Sequence, residues 1–187
     1  MGLKEGGVVA MNDKVTLNPN RLVQFLQKPA EEFTKADIIR FIENNGIRML
    51  NFRYVGGDGR LKTLNFIINN RAHLDKLLSA GERVDGSSLF SFISAASSDL
   101  YVIPRYKTAF VDPFSDIPTV DILCSYYTSD GMPLDSSPEN LVKKAHNLLK
   151  TKTGYHFEAL GELEYYLFSE VDSIYPIVQQ KGYHESH

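Results

Sequence analysis

Two glutamates in the segment GELEYYLFSE, residues 161–170, have the spacing best suited to chemistry in this sequence. Glu162 and Glu164 flank Leu163 and precede a run of aromatic and large apolar residues, which predicts a strand. Side chains alternate along a strand, so both carboxylates would point to the same side. They are either solvent-facing charges near a strand end or ligands for a hard divalent cation such as Mg²⁺ or Mn²⁺.

The residues that follow determine how costly this pair of like charges would be. Tyr165 to Phe168 are too apolar for an edge strand in water, so we expect a central strand. Two parallel carboxylates on a central strand repel each other and lose hydration unless a cation lies between them. An isolated Glu-x-Glu is nevertheless a short pattern, and both interpretations stay open on these residues alone.

A second polar group occurs in ERVDGSSLFSF, residues 82–92, where an Asp-Gly-Ser-Ser turn separates two apolar segments. Its ordinary interpretation is a loop in which Asp85 and the serines hydrogen-bond their own backbone. Asp112 and Pro113 end a strand in TAFVDPF and predict only a turn. Cys124 lies inside an apolar strand and is predicted to be a buried small residue without a nucleophilic role.

Composition and charge exclude several classes of function. The 187 residues are 43% hydrophobic and 23% charged, as in ordinary soluble globular proteins. Twenty Lys and Arg against 23 Asp and Glu give a net charge of −3, which predicts no nucleic-acid or membrane partner. One cysteine excludes an internal disulfide and predicts a cytoplasmic location. Signal-peptide, transmembrane and glycine-rich phosphate-loop patterns are not found in the sequence.

The elements that would position these residues begin with helices and a hairpin. Apolar residues at helical spacing before Pro29 predict a short helix over residues 20–28. Thr34 is the predicted N-cap of a second helix, KADIIRFIENNG. Two β segments then flank the turn Gly56-Gly57-Asp58-Gly59, which is a strong hairpin signal.

A helix over residues 71–80 follows, and then three strand-like runs: LYVIP, TAFVDP and TVDILCSYYT. Together these elements predict a small mixed sheet with a helix on one face, an α+β arrangement of the β-grasp kind. Residues 129–140 are rich in Ser, Asp, Pro and Gly and predict a linker. Ser137 predicts the N-cap of another helix, and a strand is predicted from about Tyr155 to Phe168.

The predicted organisation is an N-terminal extension at residues 1–33, a β-grasp domain at 34–130, and a linker with the beginning of a second domain at 131–187. One helix and one strand cannot bury a core by themselves. We therefore expect the second domain to be incomplete in this chain, with apolar surface exposed around the YYLF run.

Three stretches, in this order, resemble one family. VDGSSLFSF…SSDLYVIPRYKTAFVDPF, SSPENLVKKA and ELEYYLF resemble the N-terminal part of glutamine synthetase, from about Asn45 to Phe168. The resemblance implies a β-grasp domain followed by an α/β catalytic domain, with subunits assembled in rings and active sites shared between neighbours. It also implies an enzyme that joins glutamate and ammonia through a γ-glutamyl phosphate, using ATP and Mg²⁺ or Mn²⁺.

The same resemblance implies roles for five residues. Glu162 and Glu164 match the family's first two metal-binding glutamates. Asp85 matches the residue that reaches into the neighbouring subunit's site to bind ammonium and help deprotonate it, and Ser88 is its companion in the loop. Tyr183, in KGYH, matches a tyrosine that lines the ammonium pocket.

These implied roles agree with the chemistry of the residues, because phosphoryl transfer between two anions needs divalent ions held by carboxylates. On this interpretation the chain is the N-terminal part of the ligase and is inactive alone. Two alternatives remain: a γ-glutamyl-amine ligase that uses an organic amine, and a non-catalytic relative that keeps the ring scaffold.

Overall fold

The structure is a computed structural model that describes residues 13–167. The helices in this range are α1 (Asp13–Thr16), α2 (Arg21–Leu26), α3 (Lys35–Asn44), α4 (Arg71–Ala80), α5 (Gly86–Leu89) and α6 (Pro138–Thr153). The strands are β1 (Met49–Val55), β2 (Leu61–Ile67), β3 (Glu82–Asp85), β4 (Asp99–Pro104), β5 (Phe110–Val111) and β6 (Thr119–Thr128). Short 3-10 turns occur at Ala30–Glu32, Ala95–Ser97 and Tyr106–Thr108.

All six strands form one mixed sheet in the order β2-β1-β6-β4-β3, and β5 pairs with β6. β1 and β6 run parallel, whereas the other neighbours are antiparallel. The apolar stripes of α3 and α4 pack on one face of the sheet and bury the main core there. That core includes Ile38, Phe41, Leu74 and Leu78 from the helices and Leu50, Phe52, Val120 and Ile122 from the strands.

Local signals position the elements as the sequence predicts. Thr34 Oγ1 accepts a hydrogen bond from Asp37 N, and Asp37 Oδ2 accepts one from Thr34 N, which forms a capping box at the start of α3. The hairpin of β1 and β2 closes at Gly56–Gly59, where Gly59 has φ +74° and donates to the Gly56 carbonyl. The predicted helix at 71–80 is confirmed as α4.

Two predicted elements are shorter than expected. α2 ends at Leu26 because Gln27 adopts a left-handed backbone conformation (φ 52°) before Pro29. In TAFVDP only Phe110–Val111 pairs as a strand. The 3-10 turn Tyr106–Thr108 precedes it, and Asp112 then ends it by accepting a hydrogen bond from Phe114 N.

Residues 13–33 lie within the predicted N-terminal extension, yet they pack on the same core as the sheet. Leu22 and Val23 of α2 are fully buried, and the Phe25 ring lies edge-on to Phe41 at 5.5 Å. The side chain of Asn20 donates to the Ala109 carbonyl at 2.8 Å. In these residues the extension therefore stabilises the sheet rather than standing apart from it.

The face of the sheet opposite α3 and α4 carries a polar network centred on Asp121, whose side chain is 1% exposed. Asp121 Oδ2 accepts from Arg53 Nε and Nη2, both at 2.6 Å, and Oδ1 accepts from Asn51 Nδ2 at 2.8 Å. Arg53 Nη1 also donates to Thr63 at 2.9 Å. A cavity of about 630 Å³ borders this network, and none of the predicted site residues within 13–167 lines it.

Candidate functional site

The Asp85 turn is a compact, self-bonded loop between a strand and a helix. Asp85 ends β3 and caps α5, because its Oδ1 accepts from Ser87 N at 3.0 Å and from Ser87 Oγ at 2.7 Å. Ser88 Oγ donates to the Asp85 carbonyl at 2.8 Å. The predicted bonding of the Asp and serines to their own backbone is confirmed. The strand β3 and helix α5 were not predicted, although the Asp-Gly-Ser spacing is typical of a helix cap.

The environment of Asp85 keeps its carboxylate ionised. The pKa of the Asp85 carboxyl is lowered below its ordinary value, mainly by a hydrogen bond from the Ser87 side chain and next by one from the Ser98 side chain. The side chain is exposed, so the charge is open to molecules outside this chain. Such a group can attract a small cation and accept a proton from it.

The loop stands on a rigid support. Gly86 is buried, and its N–H donates to the Ser98 carbonyl at 2.7 Å. A methyl group at Gly86 would lie 2.8 Å from Leu100 Cδ1 and 2.9 Å from the Ser98 oxygen. Phe90, just after α5, is buried and lies edge-on to the Tyr126 ring at 5.1 Å. The Asp85 carboxylate is therefore exposed, while the backbone beneath it is fixed by the core.

We expect Gly86→Ala to displace this loop and to lower the free energy of unfolding by about 1–3 kcal/mol, as overpacking of a filled site does. Urea unfolding would measure the loss, and amide chemical shifts of residues 85–90 would report the displacement. Gly161→Ala is the matched control, because nothing lies within 4 Å of the added methyl group. Equal stability of the two variants would contradict a tightly packed Gly86.

The glutamate pair lies on a segment without regular structure. Residues 155–167 form neither helix nor strand, and Glu162 and Glu164 are exposed. The predicted strand from Tyr155 is therefore wrong as far as Leu167, and Phe168 lies outside the described residues. An extended segment becomes a stable strand only when a neighbour takes its backbone hydrogen bonds, and within residues 13–167 no strand pairs with it. The expected exposure of apolar residues here is observed at Leu160, Leu163 and Leu167.

The two glutamates have the right chemistry for a hard divalent ion but are too few to hold one. Mg²⁺ prefers about six oxygen ligands in octahedral geometry. Among residues 13–167 no group of three or more His, Cys, Asp or Glu side chains could hold a metal. The described part of the chain therefore does not form a complete metal site. Tyr183, the remaining predicted site residue, lies outside the described residues.

Cys124 plays no part in this site. Its side chain is buried in β6, as predicted, and burial raises the pKa of its thiol above the ordinary value. A neutral buried thiol is a poor nucleophile.

None of the helices within residues 13–167 is long and apolar enough to cross a membrane.

Residues 46–129 match the family described as the beta-Grasp domain of glutamine synthetase. Over 139 residues the chain is 30% identical to the glutamine synthetase of Pasteurella multocida and 28% identical to that of Haemophilus influenzae. It is 29% identical over the same length to the 3-hydroxylaminophenol mutase of Cupriavidus pinatubonensis. Each match covers 73% of this chain and 29% of the relative, so the chain spans less than a third of the relatives' length.

The fold agrees with these sequence matches. The glutamine synthetase of Plasmodium falciparum superposes with a TM-score of 0.55 at 16% identity, covering 64% of this chain and 23% of that one. At that identity the likeness concerns the fold, and it confirms the predicted α+β arrangement of the β-grasp kind. The domain match covers the first of the three stretches in which the sequence resembles the family, whereas SSPENLVKKA and ELEYYLF lie beyond residue 129. Residues 46–129 of this chain therefore match the β-grasp domain of glutamine synthetase in sequence, and the fold agrees with that match.

Proposed function

We propose that this chain is the N-terminal part of a cytoplasmic ATP-dependent glutamate–ammonia ligase, which makes glutamine through a γ-glutamyl phosphate. The observation that carries the proposal is the β-grasp domain match, which spans the Asp-Gly-Ser-Ser loop and the strands beneath it. The chain spans 29% of these relatives, so the catalytic activity belongs to a full-length protein, meaning one as long as the relatives.

In this proposal Asp85 binds ammonium and accepts a proton from it, and Ser88 supports the loop from within. The exposed, ionised carboxylate of Asp85 supports the first role, since a cation binds where negative charge is open to it. The hydrogen bond from Ser88 Oγ to the Asp85 carbonyl supports the second. Because the Asp85 loop faces outward, we propose that it completes the site of a neighbouring subunit in a ring.

Glu162 and Glu164 are proposed as two of the ligands of Mg²⁺ or Mn²⁺, with the other ligands supplied from outside the described residues. A divalent ion would supply charge neutralisation for the phosphates of ATP. The exposure of Glu162 and Glu164 supports this proposal, because both carboxylates are accessible to a metal ion and to its other ligands. Tyr183 is proposed to line the ammonium pocket.

The identity to a 3-hydroxylaminophenol mutase favours a second candidate function. The same 139-residue length is 29% identical to that protein and 30% identical to a glutamine synthetase. A β-grasp domain like this one is thus compatible with a mutase acting on 3-hydroxylaminophenol. The full-length protein should be assayed for glutamine formation from glutamate, ATP and ammonia, with methylamine in place of ammonia, and for ATP-independent conversion of 3-hydroxylaminophenol. Glutamine formation supports the glutamate–ammonia ligase. Turnover only with methylamine, or only with 3-hydroxylaminophenol, would instead support the amine ligase or the mutase, respectively.

Removing one carboxylate of the pair tests the metal assignment. We expect Glu162→Gln in the full-length protein to lower ligase activity about 100-fold or more, because metal charge is worth several kcal/mol in such reactions. Mn²⁺ affinity, measured by electron paramagnetic resonance, should fall in parallel. Glu158→Gln is the matched control, since Glu158 lies on the same exposed segment. Equal Mn²⁺ affinity in the two variants would return Glu162 to the role of a surface charge.

A further inference from the structure

The predicted linker after β6 is an ordered return onto that strand. β1 pairs with β6 only as far as Leu123. Beyond Leu123, the backbone N–H and C=O groups on the β1 side of β6 have no strand neighbour. The returning chain takes those groups: Thr128 N donates to the Met132 carbonyl at 2.8 Å, and Leu134 N donates to the Tyr126 carbonyl at 2.9 Å. Residues 132–134 therefore extend the sheet at the point where β1 stops.

The first turn of α6 completes this arrangement with a carboxylate. Tyr126 N donates to Glu139 Oε1 at 2.8 Å, and Ser137 Oγ donates to the same oxygen at 2.8 Å. Ser137 is fully buried, and its hydroxyl serves Glu139 instead of capping the helix. Glu139 thus binds the helix directly to the backbone of the sheet.

Little else fixes the direction of α6. No residue of this helix is buried, and apolar side chains such as Val142, at 69% exposure, project from it. Two further contacts near its start also end on the returning segment: Asn140 Nδ2 donates to the Leu134 carbonyl at 2.9 Å, and Lys144 forms an exposed ion pair of 2.8 Å with Asp135. The orientation of α6 therefore depends on the hydrogen bonds at its N-terminus.

Tyr126 connects this joint to the Asp85 loop. Its ring is fully buried and contacts Phe90 at 5.1 Å and Tyr54 at 5.7 Å, and its hydroxyl donates to the Val55 carbonyl at 3.1 Å. Phe90 follows α5 and lies beneath the loop. One residue therefore supports the loop with its ring and holds α6 with its backbone N–H.

We propose that Glu139 is a positioning residue that fixes the direction of α6 relative to the sheet. The segment carrying Glu162 and Glu164 follows α6 in the chain. Glu139 therefore also sets where that segment starts relative to the Asp85 loop. The first statement rests on the contacts of Glu139, whereas its consequence for catalysis rests on the proposed function.

A distance measurement in the 187-residue chain tests the proposal without using activity. Spin labels at Lys76→Cys on α4 and Lys152→Cys on α6, both exposed, report the helix direction by double electron–electron resonance. Cys124 is buried and stays unlabelled. We expect one narrow distance peak with Glu139, a broad distribution in Glu139→Ala, and a narrow peak in Glu139→Gln, whose amide oxygen still accepts both bonds.

Two further variants keep the test decisive. Asp135→Ala removes the exposed Asp135–Lys144 ion pair of 2.8 Å near the same helix and should leave the peak narrow. Ser137→Ala removes only one of the two bonds to Glu139 and should broaden the peak partly, even if Glu139→Ala fails to fold. A narrow peak in both Glu139→Ala and Ser137→Ala would overturn the proposal, as would a broad peak in Glu139→Gln. These outcomes do not depend on which reaction the full-length protein catalyses.

Discussion

Replacing Asp121 by alanine is expected to cost about 3–5 kcal/mol of unfolding free energy, which is what breaking a buried ion pair costs. Asp121 is 1% exposed and accepts two hydrogen bonds of 2.6 Å from Arg53, whose side chain is 26% exposed. Without that carboxylate the guanidinium keeps its charge in a site that is mostly closed to water. Asp112 Oδ2 remains 3.6 Å from Arg53 Nη2, which is an ion-pair distance but too long to replace the hydrogen bonds that are lost.

Urea unfolding of the chain measures this loss against a matched exposed pair. Arg83 and Asp99 form an ion pair of 2.9 Å between neighbouring strands, with both side chains more than half exposed. Asp99→Ala should therefore change stability by less than about 1 kcal/mol. Similar losses in Asp121→Ala and Asp99→Ala would show that the polar face of the sheet is not held by Asp121. Total stabilities of about 5–15 kcal/mol are usual, so this loss would be a substantial share of the total.

The parts of the fold that the sequence predicted correctly depend on neighbouring residues. The capping box of Thr34 and Asp37 spans three residues, and the hairpin turn depends on glycines beside the strands that it joins. The Asp85 loop is of the same kind, because Asp85 accepts hydrogen bonds from Ser87 and Ser88, which are two and three residues away in the chain. Short-range geometry of this sort can be inferred from residue types and spacing.

The parts that were missed depend on partners far away in the chain. Arg53 and Asp121 are 68 residues apart, and nothing near either residue indicates the pair. Residues 129–140 have the composition of a linker, yet they are ordered because β1 ends before β6 does. The strand predicted from Tyr155 is also wrong because of a distant partner. Its residue pattern is that of a strand, but no described strand pairs with it.

Rings mixed from two inactive variants are expected to regain about a quarter of the unmutated activity, if each site takes Glu162 from one subunit and Asp85 from the next. In the full-length protein, Asp85→Asn should assemble normally and be nearly inactive, because ammonium loses its carboxylate while the turn keeps an oxygen acceptor for Ser87. Glu162→Gln should be nearly inactive as well. The two variants are combined in equal amounts by dissociation and reassembly, and native mass spectrometry verifies random mixing.

The expected fraction follows from the symmetry of a closed ring. A site is intact only when its Glu162 comes from an Asp85→Asn subunit and its Asp85 comes from a Glu162→Gln subunit. Each condition holds for about half of the positions, so both hold for about a quarter of the sites. If both residues served the same subunit's site, every site would carry one defect and mixing would restore nothing.

A second mixture distinguishes the same two arrangements, but it starts from active subunits instead of two inactive variants. Unmutated subunits are mixed equally with subunits that carry both substitutions. Shared sites would leave about a quarter of the sites intact, whereas sites within one subunit would leave about a half. If the sites are shared, about a quarter of them should be intact in each mixture. If each site lies within one subunit, no site should be intact in the first mixture and about half should be intact in the second. Proven mixed rings that give the second pattern would remove Asp85 from the neighbour's site, although its exposed, ionised carboxylate would still need a role within its own subunit.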